Sequence, residues 1–394
     1  MNLCARPRVC LIGGPDVDAR IDLMRALALD FEPHALGSNP AAADRFAAAG
    51  FQFDSYPLSR MAAPLADLRT LSCLAVILRR ERPAIVHTFD TKPAVLGRLA
   101  ARVAGVPVVI GTIPGLGSLY VDGGWRARAT RAVYEPLQAL ASHLSDLTLF
   151  QNDDDLRELR RRRIVPRGKT AIVPGSGVCT DFFRPDLEPG DLAPLRTELG
   201  LGQDEVVVTM ISRLTRSKGV LEYAAAAAIV RQQEPATRFL LAGSADQDSL
   251  ERLSQTELET VARSVTWLGQ RKDVKHLLAV TSVFVLPSYY REGIPRALLE
   301  AAAMGLPLVT VDVAGSRDVV RNGINGLVVP QKDPAALAHA ILQLAGDPAL
   351  RRRFGQASRR LAVERFELRV IAARLRAIYH HLLDLKSPGY RQRP

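Results

Sequence analysis

The stretch that most constrains this chain runs from Val283 to Val311, VFVLPSYYREGIPRALLEAAAMGLPLVTV. It opens on an apolar run, Val283 to Leu286, which Pro287-Ser288 stops. A polar loop follows, and Pro295 stands where a helix would begin, at the first position that proline favours. Ala297, Leu298, Ala301 and Met304 recur at the spacing of a helix packed on a sheet. Gly305 suits the end of that helix, Pro307 blocks its continuation, and Leu308 to Val311 reads as the next buried strand. Strand, helix and strand in this order specify one unit of a parallel sheet covered by helices.

Two acids interrupt this apolar background. Ligands of open α/β sheets gather beyond the carboxyl ends of the strands, and Glu292 falls in that loop, while Glu300 lies inside the helix. The amides of Gly293 and Ile294, beside the helix start, suit phosphate oxygens. A carboxylate nearby suits sugar hydroxyls. The plain alternative is a capping Glu292 and a solvated Glu300.

At 394 residues the chain expects two or three domains, each with its own core. The net charge of +11 favours anionic partners: nucleotide diphosphates, nucleic acid or an anionic membrane surface. Aromatic content of 6%, with no basic-aromatic interleaving, argues against nucleic acid. Cys4, Cys10, Cys73 and Cys179 form no C-x-x-C pair and read as thiols in a reducing compartment. The apolar run at the start is too short for a signal peptide. The uncharged run Val103–Val121 holds Pro107, Pro114 and four glycines, so it reads as a strand and loop rather than a membrane span.

Patterned segments fill both halves. Arg8 to Gly13 reads as a first strand, and Gly13-Gly14 lets backbone approach a ligand without being a dinucleotide fingerprint. Leu65 to Arg82 is an amphipathic helix with a basic end. It reads either as a core-packing helix with cations at its C-terminus or as a membrane-surface helix, with Arg160 to Arg163 adding charge. Ile85 to His87 ends a strand, Thr88 to Pro93 forms a loop, Leu96 to Val103 a helix and Val106 to Ile110 a strand. Gly111 to Gly117 reads as a loop. Asn152 suits a helix cap, as does Asp333 before Pro334. Ile172 to Arg184 is the interdomain hinge. Val206 to Ile211 opens a second sheet, followed by Arg213 and Lys218, whose guanidinium fork and point charge suit a diphosphate. Phe239 to Gly243 and Val265 to Gly269 are further strands, the latter running into Gln270-Arg271. Asp16-x-Asp18 and Asp246-x-Asp248 sit where helices begin and read as caps, so no metal is expected. Leu361 to Leu385 reads as one long helix, with a frayed tail from Ser387 to Pro394.

The wording of several segments resembles a known family. E-G-I-P-R-A-L-L-E, preceded by strand-Pro-Ser and followed by A-x-x-x-G-x-P, resembles the E-x7-E motif of retaining glycosyltransferase family 4, which has the GT-B fold. I-V-H-T-x-x-T-K-P-x-x-x-G-R-L-A-A-R-x-A-G-V-P, F-x-N-x-D-D, the G-S-G-V linker and R-x-x-x-x-K-G resemble further family segments. G-T-I-P-G-L-G is similar to the T-I-T-G-L-G loop of a bacterial subgroup that extends undecaprenyl-diphosphate-linked sugars, with Pro114 in place of the usual Thr. In the linker, Cys179 stands where Asp is common.

That resemblance implies an α/β chain of two Rossmann-like, doubly wound parallel-sheet lobes facing a cleft. Residues 1–178 would bind the acceptor, residues 179–364 the nucleotide-sugar, and residues 365–394 would form a helix returning to the first lobe, with a tail. It implies transfer of a sugar from a nucleotide diphosphate, UDP favoured, to a lipid-linked glycan in bacterial surface-glycan assembly, without metal or cofactor. Arg213, Lys218, Glu292 and His87 would be catalytic. Gly13, Gly14, Arg213, Lys218, Gly243, Gln270, Arg271, Glu292, Gly293, Ile294, Pro295 and Glu300 would hold the donor. His87, Asp90, Lys92, Thr112 and Gly115 would meet the acceptor. The expected place is the cytoplasm, peripheral on the inner face of the cell membrane. The rival readings are a GT-B nucleotide-sugar epimerase or hydrolase and a non-catalytic nucleotide-sugar-binding partner.

Overall fold

Two all-parallel sheets organise the residues described by this computed structural model, which are 6–59, 63–121, 124–245, 249 and 251–386. One compact unit runs to Gly175 and takes up the chain again at Leu368; the other is Ser176–Glu367.

The first unit carries β1 (Arg8–Ile12), β2 (Glu32–Gly37), β3 (Gln52–Ser55), β4 (Ile85–Thr88), β5 (Val108–Ile113), β6 (Leu147–Phe150) and β7 (Thr170–Ile172) in the order β3-β2-β1-β4-β5-β6-β7. The second carries β8 (Val207–Ile211), β9 (Arg238–Ala242), β10 (Thr266–Trp267), β11 (Val283–Leu286), β12 (Leu308–Val311) and β13 (Gly326–Val329), ordered β10-β9-β8-β11-β12-β13. Each sheet therefore reverses direction once, between β1 and β4 and between β8 and β11. Such a reversal leaves a crevice at the carboxyl ends of the two central strands, where ligands of this architecture bind.

Sequence explains the arrangement. β4, β5, β11 and β12 are short apolar runs buried along their whole length, as strands covered by helices on both faces must be. The helix Arg296–Ala303 follows β11 and buries Leu298, Leu299 and Ala301 to Ala303 against the second core. Met304 closes that helix, and Gly305 at φ +70° starts the return to β12.

Several boundaries differ from the sequence expectation. Pro295 occupies the N-cap at φ −65°, ψ 119° rather than the first helical position, so the helix starts one residue later. Thr112 lies inside β5, which extends to Ile113 rather than stopping at Ile110. Bare Gly111 allows this extension, since a Cβ there would press on the Arg98 guanidinium at 2.7 Å. The expected single helix from Leu361 is broken. A helix ends at Leu361, Ala362–Phe366 forms a wider turn, and the terminal helix is Leu368–Lys386. The break has a cause: Phe366 is fully buried and Glu367 accepts a hydrogen bond from Thr180 N–H at 2.9 Å. The terminal helix then buries Ile371, Leu375, Tyr379 and Leu383 in the first unit's core.

Asn152 and Asp333 cap as expected, accepting from Asp155 N–H at 2.8 Å and Ala336 N–H at 2.9 Å. Asp16 occupies a cap position, but its side chain makes no cap hydrogen bond. Asp246, Asp248, Cys4 and the tail from Ser387 lie outside the described residues.

Candidate active site

In the second unit the site starts from how one loop is held. Lys218 follows β8 in a short 3-10 turn, and Gly219 turns the chain into the helix Val220–Gln233 at φ +76°. A Cβ on Gly219 would come to 2.3 Å from the Pro287 carbonyl oxygen, so only glycine lets this loop lie against the one after β11. The Ser217 carbonyl accepts from both Tyr289 N–H and Tyr290 N–H at 2.9 Å, tying the two loops together.

These ties set Lys218 Nζ 2.5 Å from Glu292 Oε1, with Ser288 Oγ donating to the same oxygen at 3.3 Å. Lys218 is 9% exposed, and its ammonium also stands over the Tyr290 ring at 5.0 Å. The pair spans the reversal of the sheet, one partner beyond each central strand. Beyond β8, β9 and β10, a cavity of about 260 Å³ is lined by Ser212, Arg213, Gly243, Ser244, Gln270 and Arg271, among others. Arg271 is held there by Glu198 at 2.6 Å and Asp273 at 2.6 Å.

Gly293, Ile294 and Pro295 are buried, and Gly315 packs on them at φ +79°, where a Cβ would meet the Gly293 carbonyl oxygen at 1.8 Å. Glu300 is paired with Arg296 at 2.7 Å, and burial raises its carboxyl above the ordinary range despite that arginine. The structure therefore brings Lys218 and Glu292 together and groups Arg213, Gly243, Gln270 and Arg271 around one cavity.

The first unit has its own bridge at the equivalent place. Gly14 N–H donates to Asp90 Oδ2 at 2.7 Å, joining the loop after β1 to the loop after β4. Asp90 itself adopts φ +66°, a strained backbone that this contact fixes. Tyr56 OH donates to the Gly13 carbonyl at 2.6 Å. Lys92 pairs with Asp67 at 2.5 Å and donates to the Ser59 carbonyl at 2.9 Å. Gly115 is half-buried past the end of β5.

His87 corrects the sequence expectation. It is completely buried, with Nδ1 2.5 Å from Tyr379 OH and Nε2 2.6 Å from Thr112 Oγ1. Burial pushes its pKa down to about 3, so it is a neutral ring sealed in the core. Thr112, 7% exposed, spends its hydroxyl on that ring. His87 can position the strand ends, but it has no surface from which to touch a substrate.

Sequence reasoning missed Tyr56, Ser288, Tyr290 and Tyr379. Ser288 sits in the strand-Pro-Ser wording and had a local signal; Tyr56 and Tyr379 act from distant segments and had none. Among the described residues, the group with metal-like spacing is His34, Asp54 and Glu81. It lies on the β2–β3 flank, where Arg80 already pairs with Asp54 at 2.6 Å and Arg8 with Glu81 at 2.7 Å.

Comparison with known proteins identifies the family and the fold. Residues 18–175 match the "Glycosyl transferase 4-like domain" model, and residues 193–361 match "Glycosyl transferases group 1". The chain is 30% identical to the UDP-Gal:alpha-D-GlcNAc-diphosphoundecaprenol alpha-1,3-galactosyltransferase of Escherichia coli, over 74% of each chain. It is 27% identical to the N,N'-diacetylbacillosaminyl-diphospho-undecaprenol alpha-1,3-N-acetylgalactosaminyltransferase of Campylobacter jejuni, over 85% of this chain and 87% of that one. In fold it is similar to a glycosyltransferase of Rickettsia africae, with TM-score 0.79, 17% identity and coverage of 96% and 99%. It is also similar to Anabaena HepE solved with UDP-glucose, with TM-score 0.76, 18% identity and coverage of 95% and 100%. With family models on both halves and a relative of this identity, the chain belongs to the family-4 glycosyltransferases and is built on the GT-B fold.

Proposed function

We propose that this glycosyltransferase is a retaining, metal-independent enzyme that moves a hexose from a UDP-sugar to a lipid-linked glycan in bacterial surface-glycan assembly. The observation that carries this reading is the Lys218–Glu292 contact at the sheet reversal, beside the cavity lined by Arg213, Gly243 and Arg271. The relatives' names supply the substrate class: both act on sugars linked to undecaprenyl diphosphate, and one takes UDP-Gal.

In this reading the diphosphate lies against Lys218, Arg213 and the Gly293–Ile294 backbone. Their positive charge stabilises the negative charge that grows on the leaving group. Glu292 orients the donor sugar, Glu300 accepts from ribose hydroxyls, and Gln270-Arg271 borders the base. The bond from the sugar's anomeric carbon to the phosphate oxygen breaks as the acceptor hydroxyl bonds the same face. The acceptor's proton passes to the departing phosphate, so no separate protein base is needed. On the acceptor side, Asp90, Lys92 and Gly115 shape the approach, while Gly13-Gly14 let backbone come close to the donor. Because the acceptor is a lipid, the enzyme works peripherally on the inner face of the cell membrane.

The test is turnover of a UDP-sugar panel with an undecaprenyl-diphosphate sugar as acceptor, with the anomeric configuration of the product read by NMR. A product of inverted configuration, or donor conversion that ignores the acceptor, rejects the reading.

A further inference from the structure

The helix Trp125–Leu144, between β5 and β6, presents apolar side chains to solvent at helical spacing. Trp125 is 74% exposed, Val133 61%, Leu137 44%, Leu140 50% and Leu144 42%. Ala129, Ala132 and Pro136 are exposed between them, so most of the exposed positions described on this helix are apolar, with Arg128, Thr130 and His143 as the polar ones. A helix in a water-soluble fold normally turns its polar residues outward. Here the outward face is the greasy one.

The charges around the stripe identify what covers it. Arg128 is exposed on the helix, Arg131 donates to the Leu119 carbonyl, and the single acid of the helix is Glu135. Glu135 is paired with Arg162 at 3.0 Å and accepts from Tyr120 OH at 3.1 Å, so its charge is balanced. At the C-terminal end Arg102 donates to the Leu144 carbonyl at 2.5 Å and is balanced by Asp146 at 2.6 Å. Lys169 donates there to the carbonyls of His143 and Ser145 at 2.9 and 3.0 Å. Exposed Arg128 towards the start and exposed Lys169 at the end thus flank an apolar stripe that starts with tryptophan. An in-plane interfacial helix has this layout, with alkyl groups at acyl-chain depth and guanidinium and ammonium groups among anionic headgroups.

We propose that this face is the docking surface for an anionic lipid bilayer, and that it holds the first unit at headgroup level. The inference rests on the reading that the acceptor is lipid-linked, and it names the surface that reaches it. The other basic amphipathic helix, Pro64–Glu81, is a weaker match. Leu65, Leu68 and Val76 are exposed on it, but Arg69, Ser72, Arg79 and Arg80 are exposed with them, so half of its outward positions are polar.

The experiment is co-sedimentation of the full-length protein with phosphatidylcholine vesicles, pure or holding roughly one-third phosphatidylglycerol. Three proteins are compared: wild type, Leu137→Gln/Leu140→Gln and Leu65→Gln/Leu68→Gln. All four residues are exposed, so thermal midpoints should match. The expected result is wild-type binding to the anionic vesicles only, at least about tenfold weaker in the first variant and unchanged in the second. Three results overturn the proposal: no wild-type binding, loss of binding only in the Leu65/Leu68 variant, or a wild-type dimer that the Leu137/Leu140 variant converts to monomer. UDP binding, followed by thermal shift, separates the two readings. Vesicle binding without any UDP response leaves the docking surface standing and removes the transferase site. A UDP response without vesicle binding does the reverse.

Discussion

Lys218 Nζ stands 2.5 Å from Glu292 Oε1, a contact between residues 74 positions apart that joins the two loops flanking the sheet reversal. Its counterpart in the first unit is the 2.7 Å hydrogen bond from Gly14 N–H to Asp90 Oδ2. Both bridges lie where a doubly wound sheet opens its crevice. In the second unit the bridge is a cation with one carboxylate partner, which an arriving diphosphate can compete for.

Removing that cation tests the site. Lys218→Ala should lower kcat by roughly 10²–10³, the usual loss when one donor to a developing oxyanion is removed. Glu292→Gln should lower turnover while keeping the loop geometry, since the amide oxygen still accepts from Lys218. Steady-state kinetics with circular dichroism checks both. Wild-type kcat in a folded Lys218→Ala protein rejects the assignment.

The loop contact itself gives a second prediction. Gly219→Ala forces a Cβ to within 2.3 Å of the Pro287 carbonyl oxygen at φ +76°, so the loops must separate. The expected cost is about 1–3 kcal/mol of stability for the strained backbone, with a larger loss of turnover because Lys218 moves with it. Urea unfolding and kinetics on the same preparation measure the two effects.

Much of this was legible in the sequence, and the reasons are local. The strand–helix–strand at Val283–Val311 declares itself through apolar period, Pro and Gly, and Glu292 and Lys218 each sit in a short phrase with a recognisable spacing. What stayed hidden depends on partners far along the chain. Nothing near His87 shows that Tyr379, 292 residues later, will seal it into the core. Nothing near Leu361 shows that Glu367 will be claimed by Thr180 and break the helix. The apolar stripe from Trp125 to Leu144 is visible as a pattern, but its outward orientation appears only once the fold is built.

Glu300 carries a pH prediction. Its folded carboxyl lies above the ordinary value of 4.5, chiefly through burial, with Arg296 opposing. The folded state therefore holds this proton more tightly than the unfolded chain. Its contribution to stability is complete below pH 4.5 and is lost as pH rises towards the raised value. Glu300→Gln should flatten that segment of the stability–pH curve. In the proposed site it should also weaken UDP, because the charged acceptor for ribose hydroxyls is gone. Thermal melts from pH 4 to 8, with and without UDP, report both, and a curve identical to wild type in each condition removes Glu300 from the account.

His87 predicts the opposite sign. Burial depresses its folded pKa from 6.5 to about 3, so the unfolded chain binds a proton that the folded one refuses. Stability from this residue is present above pH 6.5 and drains as pH falls, by about 1.4 kcal/mol for each unit below it. The Tyr379 hydroxyl is its partner from the terminal helix, and Thr112 its partner from β5. Tyr379→Phe should leave one buried nitrogen unpaired at a cost of about 1–3 kcal/mol, loosening the terminal helix without changing the proposed UDP site. His87→Gln should lose stability at neutral pH yet unfold less steeply on acidification. Acid titrations followed by circular dichroism distinguish these cases. A His87→Gln midpoint that falls with pH as steeply as wild type would mean that other buried groups govern the acid limb.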